Sequence, residues 1–259
     1  MKRISSRENP AYKRVLRIAE GKERGWAVIE GIHLCRAWLD HVGQPDMALF
    51  DEGGLGPDGE QAGLASRLDA HRCLVCEPRS WRAVSGVEHG QGVLFVVSVP
   101  EPDIPLTLDR NCIWLDRVQD PGNLGTLLRT AAAAGIGQAY LSEGCANAWS
   151  QKVLRSAQGA HFVMAIHERQ ELRALRARLR IPLVATSLRD ARSIDDVALP
   201  ADCAWLFGNE GRGVADDLLD AADERVFIPQ VATVESLNVA AAAAICLFEQ
   251  RRRHRVGAA

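Results

Sequence analysis

The sequence predicts an α/β protein of two domains, a small N-terminal one and a larger one on a mainly parallel sheet. Three observations carry that reading. Beyond residue 110, apolar strands at 112–118, 138–142, 162–166, 182–186, 203–207 and 225–229 alternate with helical stretches beginning near Asn123, Trp149, Glu168, Val214 and Leu237. Strands that return through helices run parallel and are covered on both faces. Pro100, Pro102 and Pro105 crowd one short segment between two apolar strands, a density that favours an extended connector. The length, 259 residues, exceeds the usual size of one domain. The division read from these features is an N-terminal domain over 1–100, a linker over 101–110 and a C-terminal domain over 111–259.

In the N-terminal part, short buried strands are read at 26–31, 47–50, 72–76 and 93–99, and helical periodicity at 9–20, 31–40 and 60–70. The first 25 residues hold eight Lys and Arg against three Glu, and Arg251, Arg252, Arg253 and Arg255 cluster near the other end, although the whole chain carries a net charge of only −2. That near-neutral sum argues against nonspecific coating of nucleic acid, which needs a cationic surplus. Each cluster is equally readable as a solvated face.

Composition excludes other classes. At 47% hydrophobic and 25% charged residues the chain matches an ordinary globular protein. No stretch has the length of a membrane span and MKRISSRENP has no apolar signal core, so a cytoplasmic protein is expected. Seven cysteines, an odd number scattered in apolar runs, read as reduced thiols. Cys73 and Cys76 form a CxxC without a second pair to complete a zinc site, and no metal is expected.

Three loops following strands hold unusual residues. After 112–118, Leu124, Leu127, Leu128 and Ala131 recur at helical spacing, so an amphipathic helix opens at Asn123, a good cap, and closes at Gly135. Arg129 lies about 140° around that helix from Leu124 and leaves the apolar stripe. After 203–207, Gly208, Gly211 and Gly213 surround Asn209, Glu210 and Arg212, a pattern that exposes backbone groups to a ligand or simply makes a turn. After 225–229, Ser236 is read as the cap of a last helix with Asn238 in its first turn. Alanines at 240–244 and an apolar surface nearly all round imply burial against this domain or a second subunit. The spacing fits neither a P-loop nor a Rossmann fingerprint.

The segments NLGTLLRTAAAAG, LFGNEGRGV and IPQVATVESLNVAAA resemble, in order and spacing, the three signature motifs of the SpoU/TrmH branch of the SPOUT methyltransferases. ISSRENPAYKRVL and EGIHLCRAWL resemble the substrate-binding domain that many members carry, related to a ribosomal-protein RNA-binding fold. The residues alone give an unknotted doubly wound sheet, since knots are almost absent from proteins. The resemblance implies instead a SPOUT α/β knot, a deep trefoil, with S-adenosylmethionine held by Leu206, Gly208, Asn209, Glu210, Gly211, Ile228, Ser236, Leu237 and Asn238. It implies ribose 2′-O-methylation of RNA, ribosomal by the type of N-terminal domain, and a homodimer through the final helix. Gln230, Ala232 and Ala240 depart from the Met, Gly and Ser common in the third motif. Ala232 implies a modestly altered loop, because a glycine needing φ > 0 is strained by a Cβ.

By the same resemblance Arg129 activates the ribose hydroxyl, Asn123 places the substrate, and Glu210, Ser236 and Asn238 shape the pocket. A guanidinium holds its proton at physiological pH, so Arg129 is read as fixing a phosphate and easing developing alkoxide charge. Arg7, Asn9, Lys13 and Arg14 are the expected RNA contacts of the N-terminal domain. Base methylation on the same fold, ribose methylation of transfer RNA and a non-catalytic RNA-binding protein are the competing readings.

Overall fold

A computed structural model of the chain describes all residues except 57, 58, 87–89, 232, 234, 235 and 256–259. In chain order the first elements are β1 (Lys2–Ile4), α1 (Pro10–Ala19), β2 (Trp26–Glu30), α2 (Ile32–His41), β3 (Met47–Asp51), α3 (Glu60–Ala65), β4 (Cys73–Cys76), α4 (Pro78–Val84) and β5 (Val93–Ser98). Then come β6 (Cys112–Leu115), α5 (Pro121–Ala134), β7 (Gln138–Ser142), α6 (Gln151–Ala157), β8 (Ala165–Gln170), α7 (Leu172–Leu175) and β9 (Leu183–Thr186). The last are β10 (Arg192–Ser193), β11 (Ala204–Phe207), α8 (Asp216–Leu219), β12 (Glu224–Phe227) and α9 (Val239–Arg255). They pack as two units, Met1–Pro100 with Trp149–Phe162, and Glu101–Ala148 with Val163–Ala259. The segment carrying α6 thus packs with the first unit, a division that contiguous domains over 1–100 and 111–259 do not contain.

The first unit is a five-stranded sheet in the order β1-β4-β3-β5-β2, parallel across β1, β4 and β3 and antiparallel at β5. Asn9 starts α1, its side-chain oxygen accepting from Ala11 N at 2.9 Å, and Pro10 takes the first helical position, where no amide proton is needed. The helix buries Tyr12, Val15 and Ile18, and the Tyr12 hydroxyl donates to the Ser80 carbonyl at 2.9 Å. The CxxC lies in β4 with both thiols buried. Burial pushes Cys76 up to about 12.

The second unit is a seven-stranded sheet in the order β10-β12-β9-β11-β6-β7-β8, with every pairing parallel. Its central strands β6 and β11 are buried throughout, as helix-covered parallel strands must be. The buried Trp205 donates its indole N–H to Gln250 Oε1 at 2.8 Å, which anchors α9 to β11.

Several boundaries differ from the sequence reading for local reasons. Asp120, not Asn123, caps α5: its Oδ1 accepts from Asn123 N at 2.8 Å, and Pro121 is the first helical residue. Gly135 ends that helix in the left-handed conformation, as expected. Asn238, not Ser236, caps α9, accepting from Ala240 N at 2.9 Å and Ala241 N at 3.3 Å. The strand read at 162–166 lies at Ala165–Gln170, so Glu168 is in a strand and the next helix starts at Leu172. The helices read from Trp149, Val214 and Leu237 begin at Gln151, Asp216 and Val239.

Candidate active site

The order β12-β9-β11-β6 sets four strand ends side by side. Parallel strands present their carboxyl ends at one edge, where such sheets bind ligands. There the segments after β9, β11 and β12, with the first turns of α5 and α9, line a cavity of about 790 Å³. Its walls are apolar at Leu188, Val226, Phe227, Ile228, Leu237 and Val239, and polar along 208–213.

One chain of hydrogen bonds joins the three unusual loops. The Glu210 carboxylate accepts from Gln119 N at 3.2 Å, Asp120 N at 3.1 Å and Asn123 Nδ2 at 3.1 Å. Asn123 in turn accepts at Oδ1 from Asn238 Nδ2 at 2.9 Å. Burial works to raise the Glu210 carboxyl, but the bond from Asn123 and those from backbone amides outweigh it and hold the group below its ordinary value. Glu210 thus satisfies amides at the N-terminal end of α5, where a helix favours negative charge.

The glycine loop is shaped by close approach. A Cβ on Gly208 would lie 2.2 Å from Gly213 C and from Val214 N, so no other residue fits. Asn209 and Gly213 exchange backbone hydrogen bonds at 3.0 and 2.8 Å, and Asn209 Oδ1 accepts from Gly211 N and Arg212 N, both at 3.0 Å. The turn leaves Glu210 exposed at its tip.

Of the expected site residues, Asn123, Gly208, Asn209, Glu210, Gly211, Ile228, Ser236, Leu237 and Asn238 all line this cavity. Leu206 does not: its side chain is buried in the core, and its carbonyl accepts from Thr186 Oγ1 at 3.3 Å. Arg129 is not a lining residue either. It lies on the exposed side of α5 with Thr126 and Ala133, and its side chain makes no ion pair or hydrogen bond with a described residue. Gln230 lines the cavity and Ala240 is buried, while Ala232 lies outside the described residues.

The expected RNA contacts sit in and just before α1, where internal bonds engage them. Asn9 is the helix cap, Lys13 pairs with Glu8, and Arg14 lies 4.1 Å over the Trp26 ring with its Nε 3.4 Å from Glu23. Arg7 donates to the Arg79 carbonyl at 3.3 Å. The other basic cluster is largely structural. Arg251 donates to the Ala134 carbonyl at 2.7 Å, and Arg252 and Arg253 grip Glu249, holding its carboxyl down to about 2.

Sequence reasoning missed the fourth wall, Thr186 at the end of β9 with Ser187, Leu188 and Arg189 after it. Its one signal was the exposed apolar Leu188 directly after a buried strand. Among the described residues no group of three or more His, Cys, Asp or Glu is placed to hold a metal, and no helix is long and apolar enough to cross a membrane.

The cavity suits a nucleoside-sized ligand: its volume is within the range of small-molecule sites, its apolar side chains can cover a flat ring, and its backbone groups can read polar edges. The carboxylate of Glu210 ties its loop directly to the start of α5 and, through Asn123, to the start of α9. Fold and site together define a parallel-sheet α/β protein with a ligand cavity at the strand carboxyl ends. The SpoU rRNA Methylase family model matches residues 110–248, and the chain belongs to that family. It is 33% identical to the Bacillus subtilis 23S rRNA (guanosine(2553)-2′-O)-methyltransferase RlmP, over 97% of this chain and 100% of that protein. It is 35% identical to the Bordetella pertussis 23S rRNA (guanosine-2′-O-)-methyltransferase RlmB, over 87% and 97%. Among solved structures, the AdoMet-bound rRNA methyltransferase from Sinorhizobium meliloti superposes with a TM-score of 0.82 at 27% identity, covering 97% of this chain and 98% of that one.

Proposed function

We propose that the chain transfers a methyl group from S-adenosylmethionine to a ribose 2′-hydroxyl of ribosomal RNA in the cytoplasm. The observation that carries the reading is the bond chain Glu210–Asn123–Asn238, which draws the three motif loops around one cavity. The names of the RlmP and RlmB relatives support the substrate, and the AdoMet-bound neighbour supports the donor.

Gly208, Asn209, Glu210, Gly211, Ile228, Ser236, Leu237 and Asn238 would hold the donor, which supplies an electrophilic methyl on a sulfonium. The work left to the protein is to place an oxygen in line with that methyl and to handle its proton. Asn123 positions the substrate beside the cavity while its amide is held by Glu210 and Asn238. Arg129, exposed on α5 with no side-chain partner among the described residues, binds an RNA phosphate and offsets alkoxide charge without giving up its own proton.

The unit built on 1–100 with 149–162 serves as the substrate RNA-binding domain, and the unit of 101–148 with 163–259 as the methyltransferase domain, its C-terminal segment threaded in a trefoil knot. Family resemblance and the likeness to related structures support the knot. Homodimerisation falls to α9, where Ile245 and Phe248 leave 43% and 45% of their surface exposed, an apolar face suited to a second copy.

Transfer of a labelled methyl to 23S rRNA, followed by digestion to nucleosides, tests the reading. Label in a 2′-O-methylated nucleoside supports it. Label on a nucleobase establishes the base-methylating alternative, and absence of transfer with donor bound establishes the non-catalytic one.

A further inference from the structure

Strand β6 runs directly into Asp116, whose residue is 3% exposed. A buried carboxylate is costly unless donors surround it, and here four do. Oδ1 accepts from Arg117 Nε at 3.0 Å and Ser142 Oγ at 3.2 Å; Oδ2 accepts from Arg117 Nη2 at 2.9 Å and Ala215 N at 2.9 Å. These donors belong to the loop after β6, the last residue of β7 and the segment that carries the glycine loop into α8.

Arg117 is itself fixed at φ 52, an uncommon conformation for a residue with a Cβ. Its N–H donates to Ser142 Oγ at 2.9 Å, and its carbonyl accepts from Asn209 Nδ2 at 2.8 Å. The glycine loop is therefore clamped twice, near its start through Asn209 and at its end through Ala215. Between the clamps stands Glu210, the residue that reaches the N-terminal end of α5.

We propose that Asp116 is a positioning residue for donor binding. Asp116 does not line the cavity; it sets the conformation of 208–215 through Arg117, Asn209 and Ala215, and so orients the backbone groups and Glu210 that do. The proposal rests on the reading that this cavity holds S-adenosylmethionine.

Calorimetric titration of S-adenosylmethionine into the wild type, Asp116→Asn, Ser142→Ala and Leu237→Asp tests it, with thermal melting and rRNA binding measured on each. Asp116→Asn puts an amide N–H among donors. It is expected to raise the donor Kd about ten- to a hundredfold, the scale of losing hydrogen bonds to a charged group, while rRNA affinity stays within about twofold. Ser142 does not line the cavity, and Ser142→Ala removes one donor to Asp116 and the acceptor for Arg117 N while three donors stay on the buried carboxylate. It is expected to raise the donor Kd in the same direction with a smaller fall in melting temperature, and it decides the matter if Asp116→Asn does not fold. A lowered melting temperature with wild-type donor affinity in Ser142→Ala, and in Asp116→Asn where that folds, overturns the proposal and leaves Asp116 a purely structural group. Leu237→Asp separates the two layers. If that cavity variant binds the donor as the wild type does, the donor site lies elsewhere, and the positioning proposal falls with the reading beneath it.

Discussion

Asn238 donates its side-chain amide to Asn123 Oδ1 at 2.9 Å across 115 residues of chain. The same two residues stand at the starts of two helices: Asn238 caps α9, and Asn123 supplies the N–H that Asp120 takes in capping α5. Because Asn123 also donates to Glu210, its amide has both ends engaged and one orientation. The loops after β6, β11 and β12 are thus held in register by groups that are largely exposed, which leaves them able to exchange partners with a ligand.

The cap assignment for α5 is open to a direct comparison. Asp120→Ala removes the acceptor for Asn123 N and should cost about 1 kcal/mol. For a chain of this size that is a fall of about 2–4 °C in Tm. Asn123→Ala leaves the Asp120 cap in place and should lower Tm by less. The reverse order in thermal melts restores Asn123 as the cap.

Glu210 makes a signed prediction on pH. Its folded carboxyl lies below the ordinary value of 4.5, so the stabilisation from its hydrogen bonds is fully present above 4.5 and is lost as pH falls through the lower folded value. The Tm difference between wild type and Glu210→Gln should be constant from neutral pH down to about the ordinary glutamate range and close below it. A difference that widens with acid contradicts the shift.

Much of this arrangement was legible beforehand, and the failures have physical causes. Strands β6, β7, β9 and β11 announced themselves because burial on both faces favours apolar runs, and β12 through the short apolar stretch from Val226. Edge strands β1 and β10 went unread because they are short, and β8 was read too early because it carries His167, Glu168 and Arg169 at an edge that pairs only with β7. Both misassigned caps arose where two capping residues stand close together, Asp120 with Asn123 and Ser236 with Asn238. Pro121 at the first helical position was the overlooked cue. The wall after β9 stayed hidden because strand order is not written locally; only the sheet shows β9 between β12 and β11.

For Arg129, an exposed side chain with no partner among the described residues predicts that substitution affects chemistry and not folding. Arg129→Lys keeps the charge and loses the planar fork. Methyl transfer to rRNA should fall about ten- to a hundredfold with Tm unchanged. Near-full turnover in single-turnover assays removes Arg129 from the mechanism.

The apolar face of α9 predicts an assembly. Replacing Ile245 and Phe248 together with Glu should convert a dimer to a monomer in sedimentation analysis, since both side chains are already half exposed in one chain. A wild type that sediments as a monomer contradicts the interface.

Amide hydrogen exchange with and without S-adenosylmethionine probes the central claim most directly, because the cavity is built from backbone as much as from side chains. The donor is expected to slow exchange together in 208–213, in 228–230 and at the start of α9, with α1 unaffected. Protection confined to any one of these segments, or appearing only outside them, would show that the three loops do not form a single donor site.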